Sequence, residues 1–193
     1  MAKRRASKTA NSTDSAPQQL RKTLAKCAKA ELVNLLVELA AEDRRVLRRL
    51  AARIELESSP RELAAATRLA IADATDFDER DANRNFRYDY EAYSEVQRNL
   101  TRLVNIGELR SAMELSLELM KEGSHQVEMS DEGLMTDDIQ DCLMPVVRAL
   151  QSCDLPAGDV LAWCEAMTRS DSVGFICEEP LQKLRKLYAA SPS

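Results

Sequence analysis

Five arginines, Arg44, Arg45, Arg48, Arg49 and Arg53, recur within the stretch DRRVLRRLAARI. On a helix of 3.6 residues per turn that spacing gathers guanidinium groups onto one broad face, the geometry of a surface that tracks phosphates. Glu38, Glu42, Asp43, Glu55 and Glu57 lie close by, so a solvated face balanced by i,i+4 pairs is the plainer reading. A second group, Arg80, Arg84, Arg87, Tyr88, Tyr90 and Tyr93, mixes guanidiniums with amphipathic rings, the composition of an interaction surface. Five of the eight aromatic residues, counting Phe77 and Phe86, fall between 77 and 93. A loop that plugs a gap between helices would use the same rings, and the sequence leans to the plug.

Other chemistry finds little support. Asp73, Asp76, Asp78, Glu79 and Asp81 invite a calcium loop, but an EF-hand needs glycine at its sixth position and glutamate at its twelfth. Counting from Asp76, Asp81 and Arg87 stand there instead. The single histidine, His125, has no Cys, Ser or acid at a diagnostic spacing. Trp163 beside Cys164 reads as core. Cys27, Cys142, Cys153, Cys164 and Cys177 are odd in number and form no CxxC, so no zinc set of the usual spacing arises. P-loop, G-x-S-x-G, H-E-x-x-H and dinucleotide fingerprints do not occur. The expectation is a chain without catalytic residues, cofactor or metal.

The elements that must position these groups are helical. Only five glycines and six prolines interrupt 193 residues rich in Ala, Leu, Glu and Arg, which lose little rotamer freedom in a helix. The net charge of −5 is uneven: residues 1–30 carry eight Lys or Arg against Asp14 alone, and the rest carry 19 against 31 acids. A body so acidic is repelled by nucleic acid and anionic membrane unless its charges segregate. No apolar run approaches the ~20 residues of a bilayer span. An apolar h-region is missing near the N-terminus, and scattered free thiols suit a reducing cytoplasm, where localisation is expected.

Residues 1–16 read as a disordered basic tail, and 17–190 as a single helical-repeat domain of about nine helices. Pro17 opens the first, with Leu20, Leu24 and Cys27 on one face. Stripes at Leu32, Leu35, Leu36 and Leu39, and at Val46, Leu47, Leu50 and Ile54, flank a break that Asp43 can cap. Ser59-Pro60 starts a helix with Leu63, Thr67, Ala70, Ile71 and Ala74 inward. Tyr93, Val96, Leu100 and Leu103, then Leu109, Ala112, Met113, Ser116 and Met120, form a hairpin around Ile106-Gly107. Gly123 is placed just past the end of the second arm, with a loop to about Gly133. Ile139, Leu143, Val146, Val147 and Leu150 follow on a helix that Pro145 should kink. Two more helices carry Val160, Trp163, Cys164 and Met167, then Leu181, Leu184 and Leu187. The lengths and short joints give an all-α chain of antiparallel helical hairpins, stacked as a short α-solenoid of tetratricopeptide-like character. No repeat aligns by eye.

Several segments resemble the helical region C-terminal to SWIM zinc fingers in a set of bacterial proteins, and its stand-alone uncharacterised relatives. LLVELAAEDRRVLRRLAARI at 35–54 is similar to that family's "LL.LA.ED..LR..L" element, and NFRYDYEAY at 85–93 to its "gFvdYreA" entry. Residues 100–119 resemble its "L..Ll..G...eAlel.e" hairpin, SDEGLMTDDIQ at 130–140 its acidic Gly loop, and DSVGFICEEP at 171–180 its "D.yGf...P" segment. The likeness spans roughly 31–185 and implies helical repeats without an assigned biochemical role. The SWIM ligand set, CxCx(n)CxH, is missing here, so neither zinc nor its nucleic-acid role carries over.

The function these readings favour is a non-catalytic module that binds a protein partner through the concave face of a helix stack. The alternative is a nucleic-acid accessory factor using the basic tail and the Arg44–Arg53 face. Oligomeric state stays open.

Overall fold

The computed structural model describes residues 16–51, 58–76, 78, 83–85, 87–131 and 133–190. These residues are helical and contain no strand. They divide into two compact units, Met1–Ile54 and Glu55–Ser193, where the sequence reads as one domain from 17 to 190. The basic tail over residues 1–15, Arg53, Phe77, Arg80 and Phe86 lie outside the described residues.

The first unit holds α1 (Ala16–Leu24), α2 (Lys29–Glu42) and α3 (Arg44–Ala51). The break before α3 falls at Asp43, as its position between two apolar stripes suggests. Its N–H still closes α2 on the Leu39 carbonyl at 3.0 Å, while its Oδ1 accepts the Arg45 N–H at 2.7 Å. One residue thus ends one helix and caps the next. The stripes expected to pack do not bury: no residue of α1 or α2 is buried, and Leu20, Leu35, Leu36, Leu39 and Leu47 are exposed. α2 packs on α3, and two helices alone cannot enclose so wide an apolar surface.

The second unit holds α4 (Pro60–Thr75), α5 (Tyr90–Asn105), α6 (Leu109–Glu128), α7 (Thr136–Leu150), α8 (Ala157–Ser170) and α9 (Glu178–Ala189). Their starts are written locally. Ser59 and Glu62 exchange bonds across the first turn of α4, Ser59 N–H to Oε2 at 2.8 Å and Glu62 N–H to Oγ at 3.3 Å. The backbone bond from Ser59 holds the Glu62 carboxyl below its ordinary range. Asp89 Oδ1 takes the Ala92 N–H to cap α5. α5 ends with Gly107 at φ +86°, so that Glu108 N–H reaches Leu103 O and Gly107 N–H reaches Val104 O. That paired bonding is the glycine C-terminal motif, and it sets the sharp reversal into α6.

α4 contacts α5, α5 contacts α6, α6 contacts α7 and α8 contacts α9. Contacts also join α4 to α6, α6 to α8, α5 to α7 and α7 to α9. This pattern of next and next-but-one neighbours is a two-layer stack of hairpins, with α4, α6 and α8 in one layer and α5, α7 and α9 in the other. Bonds within a layer span 44 to 52 residues. Arg68–Glu118 and Gln126–Ala74 join α4 to α6, Arg110–Asp159 and Trp163–Met113 join α6 to α8, and Tyr93–Cys142 joins α5 to α7. These five span 49 to 52 residues, while Gln97–Asp141 and Ser124–Ser170 span 44 and 46. The repeat that no motif reveals is present in the packing.

One expectation changes. α6 does not stop near Gly123 but runs to Glu128. Gly123 is buried inside it because Ile139 of α7 sits there: a Cβ would stand 2.9 Å from Ile139 Cδ1. The glycine allows close helix approach instead of a turn. α7 runs unbroken through Pro145. The Asp141 carbonyl that Pro145 cannot bond is taken by Gln97 Nε2 of α5 at 3.1 Å.

Candidate interaction surfaces

The aromatic entry to α5 resolves by residue. Tyr93 is 1% exposed in the core, and its phenol donates to Gln126 Oε1 on α6. Gln126 Nε2 in turn donates to the Ala74 carbonyl in the last turn of α4 at 3.2 Å. One buried amide therefore ties three helices, with both ends of its side chain satisfied. Cys142 Sγ on α7 closes the set on the Tyr93 carbonyl at 3.1 Å. Tyr88 is half-buried, donates to Asp138 Oδ2 at 2.6 Å and meets the Tyr93 ring edge-on, centroids 6.2 Å apart. Burial, and then the Asp138 bond, push its phenol up to about 12. Arg84, Arg87 and Tyr90 remain exposed. The five described residues of the six read as one surface are therefore split: Tyr93 is a plug, Tyr88 an anchor, and Arg84, Arg87 and Tyr90 face solvent.

The arginine face is split too. Arg44, Arg45 and Arg49 are exposed, whereas Arg48 is only 6% exposed. A helix this short cannot keep all its guanidiniums on one outward face while its Val46 and Leu50 lie half-buried.

Three buried thiols are held away from the nucleophilic form. Burial pushes Cys142 up, Cys164 to about 11 and Cys177 to about 12, far from the thiolate that reactivity requires. His125 is exposed and lies 3.6 Å from Glu128 one turn on. Among the described residues no group of three His, Cys, Asp or Glu could hold a metal ion, and no helix is long and apolar enough to cross a membrane.

A cavity of about 100 Å³ beside the 171–176 loop is lined by Thr168, Asp171, Ile176 and Arg185 among others. Its carboxylate is already engaged. Asp171 accepts the N–H groups of Val173, Gly174 and Ile176 at 2.8 to 3.2 Å, folding the DSVGFI turn around itself. Gly174 stands at φ +80°, which the turn needs. Ser124 Oγ of α6 pins the same turn, donating to Ser170 O and accepting from Ser172 N–H.

A larger groove of about 270 Å³ opens between α6 and α8. Met113, Leu117, Ala162, Trp163 and Ala166 line it, with Arg110 and Glu114 at its edge. Trp163 Nε1 donates to the Met113 carbonyl at 2.9 Å, which fixes the indole and satisfies its one donor. Arg110 Nη2 meets Asp159 Oδ2 at 2.7 Å across the helix starts, a half-exposed pair worth little in stability but able to set register. Trp163 and Met113 are themselves buried, so the surface over them is bordered by half-buried Leu117 and Ala166 and exposed Ala162. The groove thus has apolar residues at its centre and charged ones at its edge. Trp163 is core, as its apolar spacing in the sequence has it; the groove beside it is what the sequence does not show. The signal available was Ala-x-x-x-Ala on α8, two small residues on one helical face around the tryptophan.

No family model, curated protein or solved structure matches the chain.

Proposed function

We propose that this chain is a non-catalytic helical-repeat protein that binds another protein, and that the groove between α6 and α8 is its docking site. The observation that carries the reading is the groove itself, where Leu117, Ala162 and Ala166 lie over buried Met113 and Trp163, rimmed by Arg110 and Glu114. A preformed patch of this kind loses little conformational entropy on binding, so the apolar area it covers counts towards affinity. The bonded polar groups support the same view, because Tyr93, Gln126 and Cys142 in the core and Asp171 in its turn are spent on holding helices and turns together. The likeness to the helical region beside SWIM zinc fingers belongs to this proposal as a likeness of repeat architecture. Affinity capture from native lysate tests it. The expected result is a stoichiometric protein partner. A strong rise in melting temperature with a small molecule, and no stoichiometric partner, would overturn it.

One observation favours a second reading as a nucleic-acid accessory factor. Residues 1–54 carry 13 Lys or Arg against five Asp or Glu, while 55–193 carry 14 against 27. Arg44, Arg45 and Arg49 are exposed on that basic unit. Binding by this route would weaken steeply with salt, and a gel shift at low salt that shows no complex removes it.

A further inference from the structure

The apolar residues of α2 cover far more of its surface than α3 can use. At 100° per residue, Leu35, Leu39, Leu32, Leu36, Val33 and Val37 occupy an arc of roughly 200°, about twice the stripe of an ordinary surface helix. None of α2 is buried, and five of those residues are 41–63% exposed: Val33 49%, Leu35 41%, Leu36 43%, Val37 63% and Leu39 41%. Leu47 of α3 adds another at 44%. Together they leave on the order of 500 Å² of aliphatic surface on one hairpin, as much as the largest patch of a typical monomer.

Charge on the hairpin is segregated by helix. α2 carries Glu31, Glu38 and Glu42 against Lys29, and α3 carries Arg44, Arg45, Arg48 and Arg49 with no acid. We propose that this hairpin is a self-association surface, on which α2 of one chain packs against α3 of a second copy about a two-fold axis, giving a four-helix bundle. Two-fold pairing is self-complementary here, because each acidic helix meets a basic one at both halves of the interface. Two such patches bring the buried total to about 1,000 Å², the lower bound for a specific interface. Four helices are also the smallest set that encloses stripes on both members of the hairpin. Nucleic acid would engage the exposed arginines and leave the leucines and valines uncovered.

Sedimentation velocity on the full chain at micromolar concentration tests the proposal, which does not depend on the α6–α8 groove. The wild type should sediment at twice the 21.6 kDa of one chain. Leu36→Asp/Val37→Asp, at exposed positions, should return it to one chain with helix content by circular dichroism unchanged. Charge variants supply the second readout. Glu38→Arg/Glu42→Arg and Arg45→Glu/Arg49→Glu should each weaken the dimer at least about ten-fold and, when mixed, should pair with one another. A wild type that stays at 21.6 kDa, whether or not it binds DNA or anionic vesicles, would overturn the proposal. So would a dimer indifferent to both sets of changes.

Discussion

Pro145 and Gln97 form a pair that neither helix explains alone. The ring removes the N–H that would have bonded the Asp141 carbonyl, and the Gln97 amide replaces it from α5. Gln97→Leu should therefore cost about 1 kcal/mol in urea unfolding. In a Pro145→Ala background the restored backbone N–H takes over, and the same change should cost measurably less; additive effects would refute the pairing. Tyr93→Phe is the sharper loss. It leaves Gln126 Oε1 buried without its donor, and about 1–3 kcal/mol should disappear from the unfolding free energy. Apolar spacing in the sequence places Tyr93 inward. It does not identify Gln126, because a polar residue at a buried helical position looks like surface until its partners from two other helices are known.

At the scale of the elements, hydrophobic periodicity carries most of the fold. The inward faces at Leu63–Ala74, Tyr93–Leu103, Ile139–Leu150 and Val160–Met167 are buried as spacing demands. Signals that depend on what the neighbour does are harder to read. Gly123 looks like a stop because glycine usually follows a helix, and only the nearness of Ile139 shows it to be a contact point. Coupling between the two is testable. Ile139→Val costs about 0.5–1.5 kcal/mol in an ordinary core. In a Gly123→Ala background the new methyl occupies the space Cδ1 leaves, so the cost should fall towards zero by thermal or chemical denaturation. An unchanged cost would mean the helices do not meet there. The α2 stripe shows the converse limit: period and composition are those of a core helix, but burial needs a partner surface that one hairpin does not supply.

For the molecule as a whole, protonation of buried thiols and phenols sets an alkaline limit. Cys164 and Cys177 are raised from 9.0 to about 11 and about 12, and Tyr88 and Tyr188 from 10.0 to about 12. Burial is the leading cause for the first three, and the bond with Cys153 for Tyr188. Because these folded values exceed the unfolded ones, the folded chain holds more protons above pH 9. Stability is then complete below pH 9 and falls between about pH 9 and 12. Urea midpoints at pH 8 and pH 10.5 should differ accordingly, the higher pH being the weaker.

The docking site at the α6–α8 groove is the central claim, and one comparison tests it most directly. Ala162 is exposed and lines the groove, so Ala162→Arg should block the floor without disturbing the stack. Quantitative affinity capture with wild-type and Ala162→Arg baits, matched for helix content and melting temperature, should return a stoichiometric partner that the variant loses at least about ten-fold. Recovery of the same partner in equal amount on both baits would contradict the assignment.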